Sequence, residues 1–550
     1  MYSIIKRDGK VVEFDVKKIS SAITKAFKAV DREYHASIID MLALRTCADF
    51  ESKVKDGKIA VEDVQDSVEK VLSDANYADV AKAYILYRKQ REKARNLSAS
   101  MLDYKDLLNS YAGSSSESND EAHSIGDLIL SNSRSITTNY WLSEIYDEEI
   151  SQSHLSGVIY IQDLNRLTPS ISNWSLDKLI KEGLSGNSIS SNPSKHFNTL
   201  LRQIVEYLEV MQNEWASIQS INNFDTYLAP FVKEDKLSYK EVKDYLEGFI
   251  YSLNAPIILG SAPSTSLILD TSVPKELVNK KCILGGKELS YTYNDCQKEV
   301  DLINKALLEV MLEGDSTHHK FKYPKLIYVL HKDFDWSNEL LFNLVSKDSS
   351  PIFTLDSSLS KGVIGEVTIN LPRIAYNAKT IEDFYKRLDK VIEVATRSLH
   401  MKKEVVTKLL DNGLYPYTKK YLGSYDNYES IISVIGVNEM CLNAKWLNES
   451  LLDENALSFS KEVIKHINDV LTTQSEKQGD TFKLLTTSSI DASHKLASLD
   501  KENLPGVITS LEDEVPYYEV SSNITDDLFE QLDIEDTLNI PCAINAPFVI

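Results

Sequence analysis

Basic side chains placed where a polyphosphate could meet them are the first sign of chemistry in this 550-residue chain. Lys6 and Arg7 flank Asp8-Gly9, Lys18 follows at the start of an apolar-periodic stretch, and Arg88, Lys89 and Arg91 close another. Cationic groups at such termini can neutralise phosphates, and they are equally common as solvated faces. Spacing alone leaves both readings open. A metal centre has less support, because Cys47, Cys282, Cys296, Cys441 and Cys542 lie far apart with no Cys-x-x-Cys pair. They read as reduced thiols in a reducing compartment. His318-His319 are adjacent, so their rings do not face one another, and no third ligand follows nearby. A loop without metal is expected there.

The elements that must hold the basic groups follow from local pattern. Residues 3–14 predict two short strands around Asp8-Gly9, a dipeptide suited to a type I′ turn because both central residues need positive φ. Asp15 then precedes Ile19, Ala22, Ile23, Ala26, Phe27 and Val30 at helical spacing. Val61, Val64, Val68, Val71 and Leu72 repeat the pattern, and Val80, Ala83, Tyr84 and Tyr87 do so again. A small α+β unit is expected, a hairpin with helices laid on it. Residues 113–119 are small and polar and mark a linker, with the boundary between Arg95 and Asp127. Beyond it, helical patterns alternate with apolar runs such as Gly157-Val-Ile-Tyr-Ile161 and Lys325-Leu-Ile-Tyr-Val-Leu330, which predicts an α/β sheet or barrel.

Charge narrows the partners. With 60 Lys and Arg against 82 Asp and Glu, the net charge of −22 argues against direct binding of nucleic acid, which needs clustered cations. Met1 to Ile5 runs straight into Lys6-Arg7-Asp8, and no apolar run approaches the ~18 residues of a membrane span. A cytoplasmic protein with no membrane partner is expected.

Four ordered phrases in the first ninety residues resemble the ATP-cone from end to end. They are Ile5-Lys-Arg-Asp-Gly9, Phe14-Asp15 with Lys18-Ile19, Val61-Glu-Asp-Val-Gln-Asp66 with Val68-Glu69, and Ala81-Lys-Ala-Tyr-Ile-Leu-Tyr-Arg88. The resemblance implies that Lys6, Arg7, Lys18 and Lys89 meet phosphates, while Ile4, Phe14, Ile19 and Val61 line the adenine pocket. It also implies ATP or dATP, with Mg, as an allosteric ligand that switches a catalytic domain. Residues 1–95 are assigned to the cone, 96–125 to a linker and 126–550 to the larger domain.

The larger domain is similar to the anaerobic, class III ribonucleoside-triphosphate reductases, in which a ten-stranded α/β barrel follows the cone. The likeness runs through His154-Leu-Ser-Gly-Val-Ile-Tyr-Ile-Gln-Asp-Leu164, Gly314-Asp315 with Phe321 and Pro324, and Gly365-Glu-Val-Thr-Ile-Asn-Leu-Pro-Arg-Ile374. It continues in Gly413-Leu-Tyr-Pro-Tyr-Thr-Lys419 and Ile435-Gly-Val-Asn-Glu-Met-Cys441. That family removes a ribose 2′-hydroxyl with a stored glycyl radical, a cysteine beside the sugar and donors for the phosphates. The glycine of its Arg-Val-x-Gly-Tyr phrase and the four-cysteine zinc site before it have no counterpart after Gly506, so neither the radical nor zinc is expected here. The loop of the radical cysteine is shortened to Pro351–Gly362 without a cysteine, and the second active-site cysteine is matched by Trp174. The phosphate phrase Ala-Thr-Pro-x-Glu falls on Thr486–Ile490 with only Thr487 kept, and Gly-x-Gln-x-Pro-Phe-x-Asn is lost at Gly260–Leu267. Asn370, matching an asparagine at the sugar, Glu439 beside Asn438, and Cys441 remain as catalytic candidates. Polar groups ending strands also satisfy neighbouring backbone groups, and buried free cysteines are usually packing residues.

The expected function is an ATP- or dATP-binding homologue of anaerobic ribonucleoside-triphosphate reductase without its own radical catalysis. It would sense nucleotide and regulate or partner a reductase, as a homo-oligomer or a hetero-oligomer with one. The alternative is an active reductase chain supplying deoxyribonucleotides for DNA replication, its glycyl-radical segment provided by another polypeptide or lost from the gene sequence. A cone that controls gene expression is disfavoured by the acidic balance. The Asp- and Glu-rich stretch Leu511–Leu538 is expected to be a solvated terminal region or a cover for an open barrel end.

Overall fold

The computed structural model describes residues 3–5, 11–30, 32–54, 57–88, 125–186, 190–255, 262–331, 334–347, 351–354, 362–486, 489–512, 515–518, 524–525 and 527–539. Two compact units divide the chain, Met1–Glu121 and Ala122–Ile550.

In the first unit β1 (Ser3–Ile5) and β2 (Val11–Glu13) pair antiparallel, as the hairpin pattern predicts, while the turn residues Asp8-Gly9 lie outside the described residues. α1 (Val16–Ala29) starts at Asp15, whose carboxylate accepts from the Lys17 amide at 3.0 Å and satisfies one orphan donor of the first turn. α2 (Ala36–Phe50) leads to β3 (Lys58–Ala60), which pairs parallel to β1 on the side away from β2. α3 (Val61–Asp74) and α4 (78–88) follow. Ile19, Ile23, Ala26 and Phe27 of α1, Ile39, Leu42, Ala43 and Phe50 of α2, and Val64, Val68, Val71 and Leu72 of α3 form one core. The pattern of α4 needs a correction. Val80, Ala81 and Tyr84 are buried and Tyr87 is exposed, because the helix turns Ala81 rather than Tyr87 toward the core.

The second unit starts with α5 (Ile125–Tyr140), α6 (Glu148–Leu155), β4 (Ile159–Ile161) and β5 (Ser172–Ser175). α7 (Asp177–Glu182), the short pair β6 (Leu184–Ser185) and β7 (Ser190–Ser191), and α8 (Phe197–Met211) lead to β8 (Gln219–Asn222). α9 (Phe224–Asp235) and α10 (Tyr239–Asn254) lead to β9 (Thr265–Leu269). α11 (Lys275–Val278), the hairpin β10 (Lys281–Leu284) and β11 (Lys287–Thr292), and α12 (Gln297–Glu313) lead to β12 (Lys325–Val329), and α13 (Glu339–Lys347) to β13 (Pro351–Thr354). There follow β14 (Val363–Asn370), α14 (Leu371–Asn377), α15 (Ile381–Asp411), α16 (Pro416–Tyr421), β15 (Glu429–Ile435), α17 (Val437–Asn443), α18 (Glu454–Gln478) and β16 (Phe482–Leu485). α19 (Ile490–Asn503), β17 (Ser510–Glu512), β18 (Val515–Tyr517) and α20 (Leu528–Asn539) close the described chain.

Two sheets organise these elements. One has the order β13-β12-β9-β8-β5 and is wholly parallel. The other has the order β16-β15-β14-β4, with β4 antiparallel to β14. An antiparallel bridge between Ile171, just before β5, and Val363 of β14 links them. Strand, helix and parallel strand alternate, as crossover connections require, and the unit is α/β. Among the described residues the two sheets hold nine strands, eight of them in two parallel sets of five and three.

Alternation within the strands assigns their faces. Trp174, Ile221, Leu267, Leu269, Leu326, Tyr328 and Phe353 share a large core with residues of α8, α9, α10 and α12. Ile268, Ile327 and Val329 form a small cluster on the opposite face. In the second sheet Val367, Ile369, Ile432 and Val434 pack into the helix-side core, whereas Ile435 clusters with Leu496 and Ala497 of α19 and with Tyr518. The region after Leu511 therefore departs from the solvated terminus expected, since Tyr518, Ile534 and Leu538 are buried. Burying those three apolar side chains offsets the acidic neighbours.

Candidate functional site

In the first unit, β1 and β3 run parallel with Ile5 opposite Ala60, so the chain leaves both strands at the same end of the sheet. That topology sets Val61, the first residue of α3, beside the point where β1 gives way to Lys6-Arg7. Ile4 is the central strand residue, paired with Val12 on one side and Ile59 on the other. Phe14 packs edge-on against Phe50, with ring centres 5.6 Å apart. Ile19 is buried and Lys18, one residue earlier, is exposed, with no ion-pair partner among the described residues. Ile4, Phe14, Ile19 and Val61 thus belong to one small sheet-and-helix unit. Lys6, Arg7 and Lys89 lie outside the described residues.

Three charged side chains limit where phosphate could sit. Glu62 and Asp63 occupy the first turn of α3 and already complement the positive end of its dipole. Arg88 is engaged by Asp66 at 2.7 Å and Glu69 at 2.9 Å. It therefore braces α4 against α3 instead of waiting for a polyphosphate.

In the second unit Asn370 ends β14 and Ile435 ends the neighbouring parallel β15, directly opposite. Both chains turn there into short helices. Gly436 makes its turn at φ 68°, and a Cβ on it would stand 2.4 Å from Pro372 Cγ, so only glycine fits. Asn370 is fully buried and its amide is saturated. Its Oδ1 accepts from the Arg373 amide at 3.1 Å, and its Nδ2 donates to Gly157 O at 2.9 Å and Asp500 Oδ2 at 2.8 Å. Asp500 also accepts from Arg373 Nη1 and from the Tyr518 hydroxyl, each at 2.5 Å. Burial pushes the Asp500 carboxyl above the usual range despite these donors. Sequence reading missed Asp500 and Arg373 in this role, because nothing in local spacing links residues 127 positions apart.

Glu439 and Cys441 diverge. Glu439 is buried and accepts from Ser510 Oγ at 3.0 Å, so it ties α17 to β17. Cys441 turns to the helix side, where its sulfur lies 3.1 Å from Ser460 Oγ of α18. Burial pushes its thiol up to about 11, which suppresses the thiolate that nucleophilic chemistry needs. The structure brings Asn370 and Glu439 to the same sheet end and does not bring Cys441 to them. Trp174 also faces the helix layer, edge-on to Tyr207 and Trp215 with ring centres 5.5 Å apart. His318 and His319 lie in the loop expected of them, where the Asp315 carboxylate accepts from the His319 amide at 2.9 Å.

A second buried acid group escaped the sequence reading. Asp225, at the start of α9, accepts from the amides of Thr226 at 2.9 Å and Thr271 at 2.9 Å and from Asn304 Nδ2 at 2.8 Å. Asp270, just past β9, accepts from Asn223 Nδ2 at 2.8 Å and Thr226 Oγ1 at 3.1 Å. Ligands of open α/β sheets gather at such carboxyl ends, but here the polar atoms serve one another and lock the loops. Burial, and then the Asp225 charge, raise the Asp270 pKa above the ordinary carboxylate range. A raised pKa means that the fold favours the protonated acid. Stability from Asp270 is therefore full below about pH 4 and is lost as pH rises from there. Asp270→Asn should remove that fall, and urea unfolding of both proteins from pH 4 to 8 checks it: parallel stability curves would exclude the assignment.

A family model described as anaerobic ribonucleoside-triphosphate reductase matches residues 116–543, and one described as the ATP cone domain matches residues 2–93. The anaerobic ribonucleoside-triphosphate reductase of Haemophilus influenzae is 22% identical over 623 residues, covering 98% of this chain and 84% of that protein. Ribonucleoside-diphosphate reductase subunit alpha of Chlamydia pneumoniae is 43% identical over 99 residues, 17% of this chain and 10% of the relative. The solved structure of the anaerobic ribonucleotide reductase from Thermotoga maritima in complex with dATP and CTP has a TM-score of 0.67 at 18% identity, covering 83% of this chain and 85% of that one. That last likeness is one of fold. No helix among the described residues is long and apolar enough to cross a membrane. With one match spanning most of its length and the other its first unit, the chain belongs to the anaerobic ribonucleoside-triphosphate reductase family and carries an ATP cone domain.

Proposed function

We propose that this family member senses ATP or dATP through its cone and acts as a regulator or partner of a reductase, without radical catalysis of its own. The observation that carries the reading is the fate of the catalytic candidates. Asn370 is saturated by Gly157, Arg373 and Asp500, and Cys441 is sealed between helices with its thiol held up. A substrate sugar would have to displace a buried ion pair to reach Asn370. By the resemblance of its phrases to the family's, the two active-site cysteine positions fall on Trp174 and on the cysteine-free stretch Pro351–Gly362. Lys6, Arg7, Lys18 and Lys89 are assigned to the phosphates, and Ile4, Phe14, Ile19 and Val61 to the adenine.

Titration calorimetry of the full chain with ATP and with dATP in Mg-containing buffer should give saturable binding. Lys18→Glu places a negative charge beside the bound phosphates and should weaken binding by roughly tenfold, since a reversed close charge is worth about 1–2 kcal/mol in partly exposed sites. Absence of binding by the parent chain would refute the sensing role. Deoxynucleotide formation under anaerobic conditions, after treatment with an activating radical enzyme, would overturn the noncatalytic role and favour the reading as an active reductase chain.

A further inference from the structure

Five cysteines scattered along the sequence give no hint of a pair, yet the fold brings two of them together. The sulfurs of Cys282 and Cys296 are 3.9 Å apart, and both residues are fully shielded from solvent. Cys282 lies in β10 where the register with β11 shifts between Lys281 and Ile283, an irregularity of the kind that re-aims a side chain. Cys296 is the cap residue just before α12, and its sulfur also lies 4.0 Å from Thr292 O. Lys233 of α9 brings a positive charge there, donating from Nζ to Asp295 O. Cys441 has a serine for its neighbour instead.

We propose that Cys282 and Cys296 form a redox-modification site, in which a low-molecular-weight disulfide oxidises the two thiols to an intramolecular disulfide that fastens the β10–β11 hairpin to the start of α12. When the β10–β11 hairpin opens locally, the Cys296 thiolate attacks one sulfur of the small disulfide, forms a mixed disulfide and releases the first small thiolate. Cys282 then loses its proton, and its sulfur attacks Cys296 Sγ, forming the protein disulfide and releasing the second small thiolate. Two protein thiols lose two electrons and two protons, and one small disulfide becomes two small thiols. The hydrogen bond between the two sulfurs lowers the Cys296 thiol against the opposing effect of burial, and Lys233 lowers it further. Lys233, held at Asp295 O beside Cys296, favours the thiolate there and sets Cys296 to attack first. The sulfurs must close from 3.9 Å to a bond of about 2 Å, which side-chain rotation and a small shift of the hairpin supply.

The test uses the full chain, reduced and then equilibrated in glutathione buffers from fully reduced to mostly oxidised. Acid quenching, alkylation after denaturation and peptide mass spectrometry locate each thiol. The expected result is a joined pair of peptides carrying Cys282 and Cys296, two hydrogens lighter than their sum, with Cys441 alkylated at every ratio. Hydrogen exchange across residues 281–296 should slow about tenfold or more in the oxidised protein, because the bond closes a short loop. Cys282→Ser should trap Cys296 as a mixed disulfide, and Cys296→Ser should leave Cys282 unmodified over the same period. Complete alkylation of both cysteines at every ratio would overturn the proposal, as would linkage of either one to Cys47 or Cys542. Equal trapping in the two variants would overturn the order of attack. The joined peptide is read in the unsubstituted chain, so the proposal stands or falls even if a variant does not fold.

Discussion

Asp500→Ala is expected to destabilise the larger unit by about 3–5 kcal/mol, the range for removing one partner of a buried ion pair. The carboxylate has no exposed side-chain surface, and its partner Arg373 is only 14% exposed. Removing it leaves the guanidinium, the Asn370 amide and the Tyr518 hydroxyl without their shared acceptor. Tyr518 would lose its hydroxyl's bond to α19 and keep only its backbone bonds to Ser493, so the segment around β18 should loosen first. Asp500→Asn keeps the shape and one acceptor oxygen but cancels the charge, and it should lie between the parent and the alanine variant. Urea unfolding followed by tryptophan fluorescence gives the free energies, and hydrogen exchange across 515–518 reports the local loss. A cost under about 1 kcal/mol for Asp500→Ala would mean that the cluster does not hold the sheet end together.

Acid should remove a comparable amount of stability through His154. Its Nδ1 accepts from the Ile161 amide at 3.1 Å, so the fold requires a ring unprotonated at that atom. Burial first, and then the charge of Lys495, lower its pKa to about 4 from an ordinary value of 6.5. A lowered pKa in a base means that the unfolded chain takes up the proton sooner. The contribution is therefore full above pH 6.5 and is lost as pH falls from there to about 4, amounting to roughly 3 kcal/mol. His154→Gln retains an acceptor for Ile161 and does not titrate. The difference in stability between parent and variant should shrink or reverse as pH falls through this window. If the difference stays constant from pH 7 to 4, His154 is not the group responsible. Asp270 acts in the opposite direction over part of the same range, and comparing variants at matched pH separates the two.

What was legible in the sequence was local. The alternation of residues 3–14 fixes the first hairpin, because side-chain period and turn chemistry act over a few residues. The helix after Asp15 follows from its cap and its 3.6-residue period. The phrases around Asn370 and Glu439 likewise place both residues where strands give way to helices, as observed. α2 and β3 escaped the reading. β3 is only three residues long and exists because β1 offers it a parallel edge, a partner more than fifty residues away.

By itself, then, the sequence determined the cone and the α/β alternation. Those are matters of residue identity and short-range order. Only the tertiary structure decided what the remaining polar groups do. Asn370 and Glu439 look alike as candidates in sequence, yet one is saturated by Asp500 and the other anchors Ser510, while Cys441 faces a different layer altogether. The same holds for the thiols, since Cys282 and Cys296 meet through a strand irregularity and a helix start that no spacing rule encodes. Hydrogen bonds and sulfur contacts act over about 3–4 Å, and only the folded chain brings distant residues within that reach.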